Sequence, residues 1–444
     1  MNLKRTLLTI FLAIIVTNPV SAVMLSPDKE GQVLIFPYFG TLGGNTTLLT
    51  ISEHGGSPRA LKVHFRDRQG EVALSFNLYL EGNGSWVAAL SQIDGDTHLS
   101  LPDTSCIFPA LNDGSGSAVV PLTSGFLEVI DMGAIVDTGI SSHVNEFDCD
   151  ALNAMWAENG QWNNDPSFGL AASSGRLRGT ASIINVAHGT MYSFVASALT
   201  GFSDIPQHSA PGELLPDLTT AHDAGTDNNA TTSIVCQNQE CIEDTWQHPA
   251  DAVAVSLLAR QLTGDFSTET SIRASSEVVL TFPLRKFYYD AGHTPLGNIR
   301  LDYFVYDRAG EGDRTDVICA PIVDIPPCDA PFSHSIGRNS VGILSFNNSV
   351  TDYGTTRPSN ILSEEYISSY PSPNFPTIRE SGQFSLFTFV GNERFRSNSG
   401  RTYAGIPVIG AVIQEFSNGQ LTNGAGQLVR ANYGNAFELS RNQD

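Results

Sequence analysis

Val278-Val279-Leu280-Thr281-Phe282-Pro283-Leu284-Arg285-Lys286-Phe287-Tyr288-Tyr289 reads as a strand word that closes on a turn at its proline. Val33-Leu34-Ile35-Phe36-Pro37 spells almost the same word near the other end, so Val-Leu-x-Phe-Pro occurs twice. Further echoes follow in order. Asp67-Arg68-Gln69-Gly70-Glu71 comes after the first copy and Asp307-Arg308-Ala309-Gly310-Glu311 after the second. Ser124-Gly125-Phe126 is matched by Ser381-Gly382-Gln383-Phe384, and Arg178 to Val186 by Tyr403 to Ile413. Such ordered repetition predicts two halves of related design.

Between Gln32 and Leu90 the chain alternates apolar and polar residues in short runs broken by turn residues. Gln32 to Tyr38, Thr46 to Ser52, Ala60 to Arg66, Val72 to Leu80 and Ser85 to Leu90 are each expected as strands. In the fourth run Val72, Leu74, Phe76, Leu78 and Leu80 share one face, and the opposite face, with Asn77 and Tyr79, is expected to be mostly wet. His64 is likewise expected on a solvent face, and Trp86 in the core. Short helices are predicted at Asp148 to Trp156 and Asp251 to Leu262. The expected fold is therefore mainly β: two related β-sandwich units, Ig-like or jelly-roll-like, with a few short helices and long loops. The units are placed at 23–200 and 263–444. Residues 201–262 lie between them, and 201–250 hold eight acidic residues, four prolines and no Lys or Arg. That composition reads as an acidic, irregular and partly mobile linker ending in a short helix.

Lys4 and Arg5, an apolar run from Leu7 to Val16, and Pro19-Val20-Ser21-Ala22 make the pattern of a secretory signal peptide over 1–22. The run spans about ten residues against the roughly 20 of a membrane-crossing helix, so cleavage after Ala22 is expected rather than anchoring. Export predicts a periplasmic, cell-surface or extracellular protein. The net charge is −22, and loss of Lys4 and Arg5 leaves the mature chain two units more negative. Nucleic acid is excluded as a partner, because its binding depends on clustered cations that release counterions.

Six cysteines, Cys106, Cys149, Cys236, Cys241, Cys319 and Cys328, suit disulfides in an oxidising compartment. Their order favours three neighbouring pairs, Cys106 with Cys149, Cys236 with Cys241 and Cys319 with Cys328, out of the 15 pairings possible. Zinc is disfavoured, since no Cys-x-x-Cys or Cys-x-x-His occurs. Calcium is the more physical cofactor, because acidic oxygen-rich loops suit a hard cation. Asp94, Asp96 and Asp103 form one candidate cluster and Asp223 with Asp227 another, solvated loop acids being the plainer reading.

At Gly31 to Tyr38, Phe76 to Trp86 and Val278 to Phe287 the chain resembles an uncharacterised group of secreted proteins of Gram-negative bacteria. The resemblance implies export and a two-part β architecture, and carries no activity with it. The sequence holds no Gly-x-Ser-x-Gly elbow, no His-Glu-x-x-His, no P-loop and no dinucleotide fingerprint. The expected function is thus non-enzymatic, through protein or glycan contacts outside the cell, with self-assembly by strand addition as an option. The competing expectation is an extracellular carbohydrate-active hydrolase, its carboxylates on the loops around Asp94 to Asp113 and Glu146 to Asp165.

Overall fold

The structure is a computed structural model that describes residues 22–102, 104–111, 116–223, 230–237, 240–291, 300–311, 333–335, 339–346, 359–365, 368–370, 380–389, 395–422, 424–426 and 428–442. The predicted signal peptide, Asp103, Asp227, Cys319 and Cys328 lie outside them, apart from Ala22 of the leader.

The chain opens with β1 (Ala22–Leu25), β2 (Val33–Gly40), β3 (Asn45–Glu53), β4 (Arg59–Asp67), β5 (Val72–Leu80) and β6 (Ser85–Ile93). It continues through β7 (Asp96–Ser100), β8 (Cys106–Phe108), β9 (Ser117–Val120) and the long β10 (Ser124–Ile135). Helices α1 (Thr138–Asn145), α2 (Cys149–Trp156) and α3 (Gln161–Asn164) precede β11 (Leu170–Ala171), β12 (Leu177–Asn185), β13 (Thr190–Val195) and β14 (Ser197–Thr200). The hairpin β15 (Thr231–Gln237) and β16 (Glu240–Trp246) follows, and then α4 (Pro249–Ser256). Among the described residues one sheet runs β16-β15-β1-β14-β2-β10-β4-β5-β8 and the other β13-β12-β3-β6-β7-β9. They face each other across a core in which Trp86, fully buried, sits 6.1 Å from Phe76.

After β17 (Leu258–Ala259) the second half contains β18 (Gln261–Ser267), β19 (Ala274–Thr281), α5 (Arg285–Asp290), β20 (Arg300–Asp307), β21 (Ser333–Ser335) and β22 (Val341–Phe346). It ends with β23 (Ser368–Tyr370), β24 (Ser381–Phe389), β25 (Phe395–Arg396), β26 (Thr402–Tyr403), β27 (Ile406–Pro407), β28 (Ile409–Thr422), β29 (Leu428–Glu438) and β30 (Ser440–Asn442). Its two main sheets run β21-β20-β24-β18-β30 and β23-β22-β19-β28-β29. The mainly β, sandwich-type architecture expected from the sequence is the one observed.

The two halves match strand for strand, with β2, β3, β4, β5, β6, β10, β12, β13 and β14 taking the places of β18, β19, β20, β21, β22, β24, β28, β29 and β30. Side chains repeat the match. The Thr47 hydroxyl donates to the Gly40 carbonyl and accepts from its N–H, at 2.8 and 3.0 Å, and Ser276 does the same to Ser267, at 2.9 Å each. The Thr41 hydroxyl donates to the Thr123 carbonyl and that of Thr268 to the Glu380 carbonyl. The Asp67 and Asp307 carboxylates each accept two N–H groups of their own turn, from Gln69 and Glu71 and from Ala309 and Glu311, all at 2.9 Å. Here Asp does what it does best in a turn, supplying an acceptor to backbone that has left the ladder. The Arg beside it has diverged. Arg68 crosses to Glu364 of the second half at 3.1 Å, whereas Arg308 stays local on Glu269.

Three expectations are corrected. The opening echo is not part of this repetition: Val33 to Pro37 lie in β2, but Val279 to Thr281 lie in β19, the counterpart of β3. Both strands are buried along nearly their whole length, which selects an unbroken apolar run in each. They meet at the junction of the halves, where the Thr281 hydroxyl donates to the Pro37 carbonyl.

The described part of 201–262 is not an irregular linker. Its hairpin β15–β16 extends the first sheet, pairing through β15 with β1, and its Cys236–Cys241 disulfide joins directly opposed residues. The predicted helix is shorter, Pro249–Ser256, and buried. Residues 203–223 form a strap over the outer face of β4 and β5, so the face expected to be wet is covered there. Lys62 Nζ donates to the carbonyls of Ala210 and Glu213, Asn77 Nδ2 to Ser209 O, and His64 Nε2 to Pro216 O at 3.0 Å. Lys62, His64 and Asn77 are fully buried, the correction to the expected solvent position of His64. Polar side chains on this face serve the strap, because its carbonyls must find donors once water is gone.

Candidate functional site

The strap, α2, α3 and β8 enclose a cleft of about 1090 Å3 on the first half. Its construction starts at Asp148, whose carboxylate caps α2 by accepting from the Ala151 N–H at 3.1 Å. The next residue, Cys149, is bonded to Cys106 of β8, so the helix is fastened to the sheet edge at its first turn. Of the two loop regions expected to carry chemistry, Asp94 to Asp113 and Glu146 to Asp165, the cleft brings together Leu101 and Ser105 to Leu111 of the first with Cys149 to Asn163 of the second, while Asp94 and Asp96 stay outside it and Asp113 lies outside the described residues.

Beneath the cleft lies a packed polar-aromatic cluster. Tyr79 of β5 stacks on Trp162 of α3 with ring centres 5.3 Å apart and planes 8° from parallel. His208 of the strap stands edge-on to Trp162 at 4.7 Å and lies 4.8 Å from Trp156 of α2. Hydrogen bonds settle the protons. His208 Nδ1 lies 2.7 Å from the Pro166 carbonyl, which can only accept, so Nδ1 carries the hydrogen. Nε2 then accepts from the Tyr79 hydroxyl at 2.8 Å, and the same hydroxyl accepts from Trp156 Nε1 at 3.0 Å. Burial, with Lys62 adding to it and the Pro166 hydrogen bond opposing it, holds the imidazole pKa down at about 4, and burial raises that of the Tyr79 phenol. Neither ring is free to act as a proton donor or acceptor for a ligand, and the cluster works as a rigid floor.

The chemistry offered to a ligand comes from the walls. Trp156 is half-buried there, with Asn153 and Asp150 exposed on the same helix, Asn163 on α3 and Glu213 on the strap. Apolar lining from Ile107 and Pro109 completes it. An aromatic face beside amides and carboxylates suits a molecule with alternating apolar and hydroxylated surfaces.

Of the calcium candidates, Asp103 and Asp227 lie outside the described residues. Asp94 and Asp96 are exposed at the turn between β6 and β7, whereas Asp223 is buried and accepts from the Thr232 hydroxyl at 2.6 Å. Among the described residues no group of three His, Cys, Asp or Glu side chains is placed to hold a metal ion. Two of the three expected disulfides, Cys106–Cys149 and Cys236–Cys241, are present, which fits an oxidising compartment. The third lies outside the described residues. No helix among them is long and apolar enough to cross a membrane.

Sequence reasoning missed Tyr79, Trp162, His208 and Glu213. The available signal was Cys149 and Trp156 in a short predicted helix, Trp162 just beyond it, and a Pro-rich segment that carries His208. No protein-family model matches the chain, and no curated protein or solved structure matches it either.

Proposed function

We propose that this is an exported, non-enzymatic protein that acts by contact at the cell surface or in the extracellular matrix, and that its cleft takes a glycan. The observation that carries the reading is Trp156, held on the cleft wall by its hydrogen bond to Tyr79 and flanked by Asn153 and Asn163. A sugar ring presents C–H groups to such an indole and hydroxyls to such amides. Pre-organisation of the indole reduces the ordering cost of binding. The leader-like N-terminus and the disulfides support export.

The test is calorimetric titration of the mature protein with a panel of neutral and acidic oligosaccharides. Binding that falls at least tenfold in Trp156→Ala and in the exposed Asn153→Ala supports the reading, tenfold being about 1.4 kcal/mol. A panel with no binder, or equal affinity in both variants, overturns it.

A hydrolase is the second reading, favoured by Asp150 and Glu213 lining the same cleft. Oligosaccharide turnover abolished by Asp150→Asn or Glu213→Gln would replace the first reading with this one.

A further inference from the structure

A second cavity, of about 410 Å3, lies where the two halves meet. The first half contributes Arg66 of β4, Glu128 of β10 and the strap residues Asp217 to Thr219, and the second contributes Pro283 to Leu284 and one side of α5. Both cations in its wall are already matched. Arg66 Nε donates to Glu128 Oε2 at 2.7 Å, its Nη1 donates to the Gly70 carbonyl, and its Nη2 stands 3.5 Å from Asp217. Lys286 Nζ lies 2.6 Å from both Glu71 and Asp290.

The acceptors are not all used. Glu128 is fully buried, yet among the described residues its Oε1 has no hydrogen-bond partner. A buried carboxylate oxygen without a donor costs on the order of 1–3 kcal/mol or more, so its retention calls for a ligand that supplies one. Glu128, Asp217 and Asp290 outnumber Arg66 and Lys286, so the surplus charge is negative. Leu218, Leu284 and the half-exposed ring of Phe287 line the same space with apolar surface. A metal ion is a poor fit, because Arg66 stands between Glu128 and Asp217 and no three ligating groups converge among the described residues.

We infer that this cavity is a binding site for a small organic cation, a primary amine carried on an apolar body, with its ammonium on Glu128 Oε1 and Asp217 and its body against Phe287 and Leu284. The site draws on both halves, so an occupant ties them together. It is separate from the glycan cleft and does not rest on that reading.

The carboxyl of Glu128 supplies a second handle. Burial and the neighbouring Asp217 push it up, Arg66 opposes them, and the net position is about 7. An ammonium beside it favours the ionised form, so binding near neutral pH releases a proton.

The test titrates the mature protein with 2-phenylethylamine and, as a neutral isostere, 2-phenylethanol, in two buffers of different ionisation enthalpy. Expected are saturable binding of the amine alone, a buffer-dependent enthalpy reporting proton release, and a roughly tenfold weaker Kd in Asp217→Asn and Phe287→Ala. Glu128→Gln should abolish the buffer dependence. Phe287→Ala keeps the test open if the Glu128 variant fails to fold, since Phe287 is 37% exposed. Equal binding of the alcohol, unchanged affinity in Asp217→Asn and Phe287→Ala, or no binding of the amine at about 10 mM would overturn the proposal, 10 mM being weaker than about −3 kcal/mol.

Discussion

The Tyr79 hydroxyl donates to His208 Nε2 at 2.8 Å across 129 residues of chain, and this bond joins those of Lys62, His64 and Asn77 in fastening the strap to the sheet it covers. Tyr79→Phe keeps the stack on Trp162 but leaves buried Nε2 and Trp156 Nε1 without their partner. The expected cost is about 1–3 kcal/mol in urea unfolding. It should come with faster proteolysis in 203–216 and weaker oligosaccharide binding. An unchanged protease pattern would show that the bonds of Lys62, His64 and Asn77 hold the strap without Tyr79.

Acid should act on two histidines first. Burial lowers both His64 and His208 to about 4, below the unfolded value near 6.5. The unfolded chain therefore binds more protons between these values, and the stability each neutral ring contributes, intact above pH 6.5, is lost as pH falls toward 4. Each loses on the order of 3 kcal/mol by the linkage relation. Glu128 and Glu277, raised by burial to about 7, act in the opposite sense, favouring the fold below their unfolded values and losing that contribution as pH rises through 7. Denaturant titrations of wild type and His208→Gln at pH 6.5 and 4.5 separate the terms. The gap between the two proteins should narrow in acid, and imidazole NMR shifts should show both rings neutral at pH 5.

The repeated turns make a matched pair. Asp67→Ala and Asp307→Ala each remove two acceptor contacts to backbone N–H groups, so each should cost about 0.5–2 kcal/mol and the two should agree closely. Gly125→Ala and Gly382→Ala should both be severe, because an added Cβ would lie 1.8 Å from the Arg66 carbonyl in one and from the Tyr306 carbonyl in the other. Scanning calorimetry of the four variants checks the equivalence, and a mild effect at one glycine alone would refute it.

The disulfides should differ in weight. Cys106 and Cys149 are separated by 43 residues and Cys236 and Cys241 by 5. Loop-closure entropy assigns about 4 kcal/mol to the first and about 2 to the second. The Cys106→Ser/Cys149→Ser protein should also lose oligosaccharide binding, since α2 is then released from β8, whereas Cys236→Ser/Cys241→Ser should retain it.

Much of the first half was legible because β3 to β6 follow the two-residue period of strands and their turns carry Gly, Asn or Asp. The strap was not. Residues 201–250, with four prolines and no Lys or Arg, have the composition of a linker, and what makes the strap within them structure is Lys62, His64 and Asn77, contributed by strands more than 130 residues earlier. Nothing local to those strands shows that their polar face will be covered. The duplication was legible in Asp67 and Asp307, where a turn imposes its own chemistry. The Val-Leu-x-Phe-Pro word misled, because any strand buried on both faces converges on such a run. Of the cleft, the sequence offered the loops and the Cys106–Cys149 link but not the rings beside it, which come from three regions far apart in the chain: β5, the neighbouring helices α2 and α3, and the strap.

One consequence follows from the way each half is closed. In the first, β14 seals β2 by residue 200, so that sandwich has both neighbours of β2 before the second half has emerged. In the second, β18 has its outer neighbour only in β30, and the Arg260 N–H bonds to the Asn442 carbonyl. Nearly all of the second half must emerge before β18 is paired on both edges, so a chain truncated late would leave an exposed strand edge.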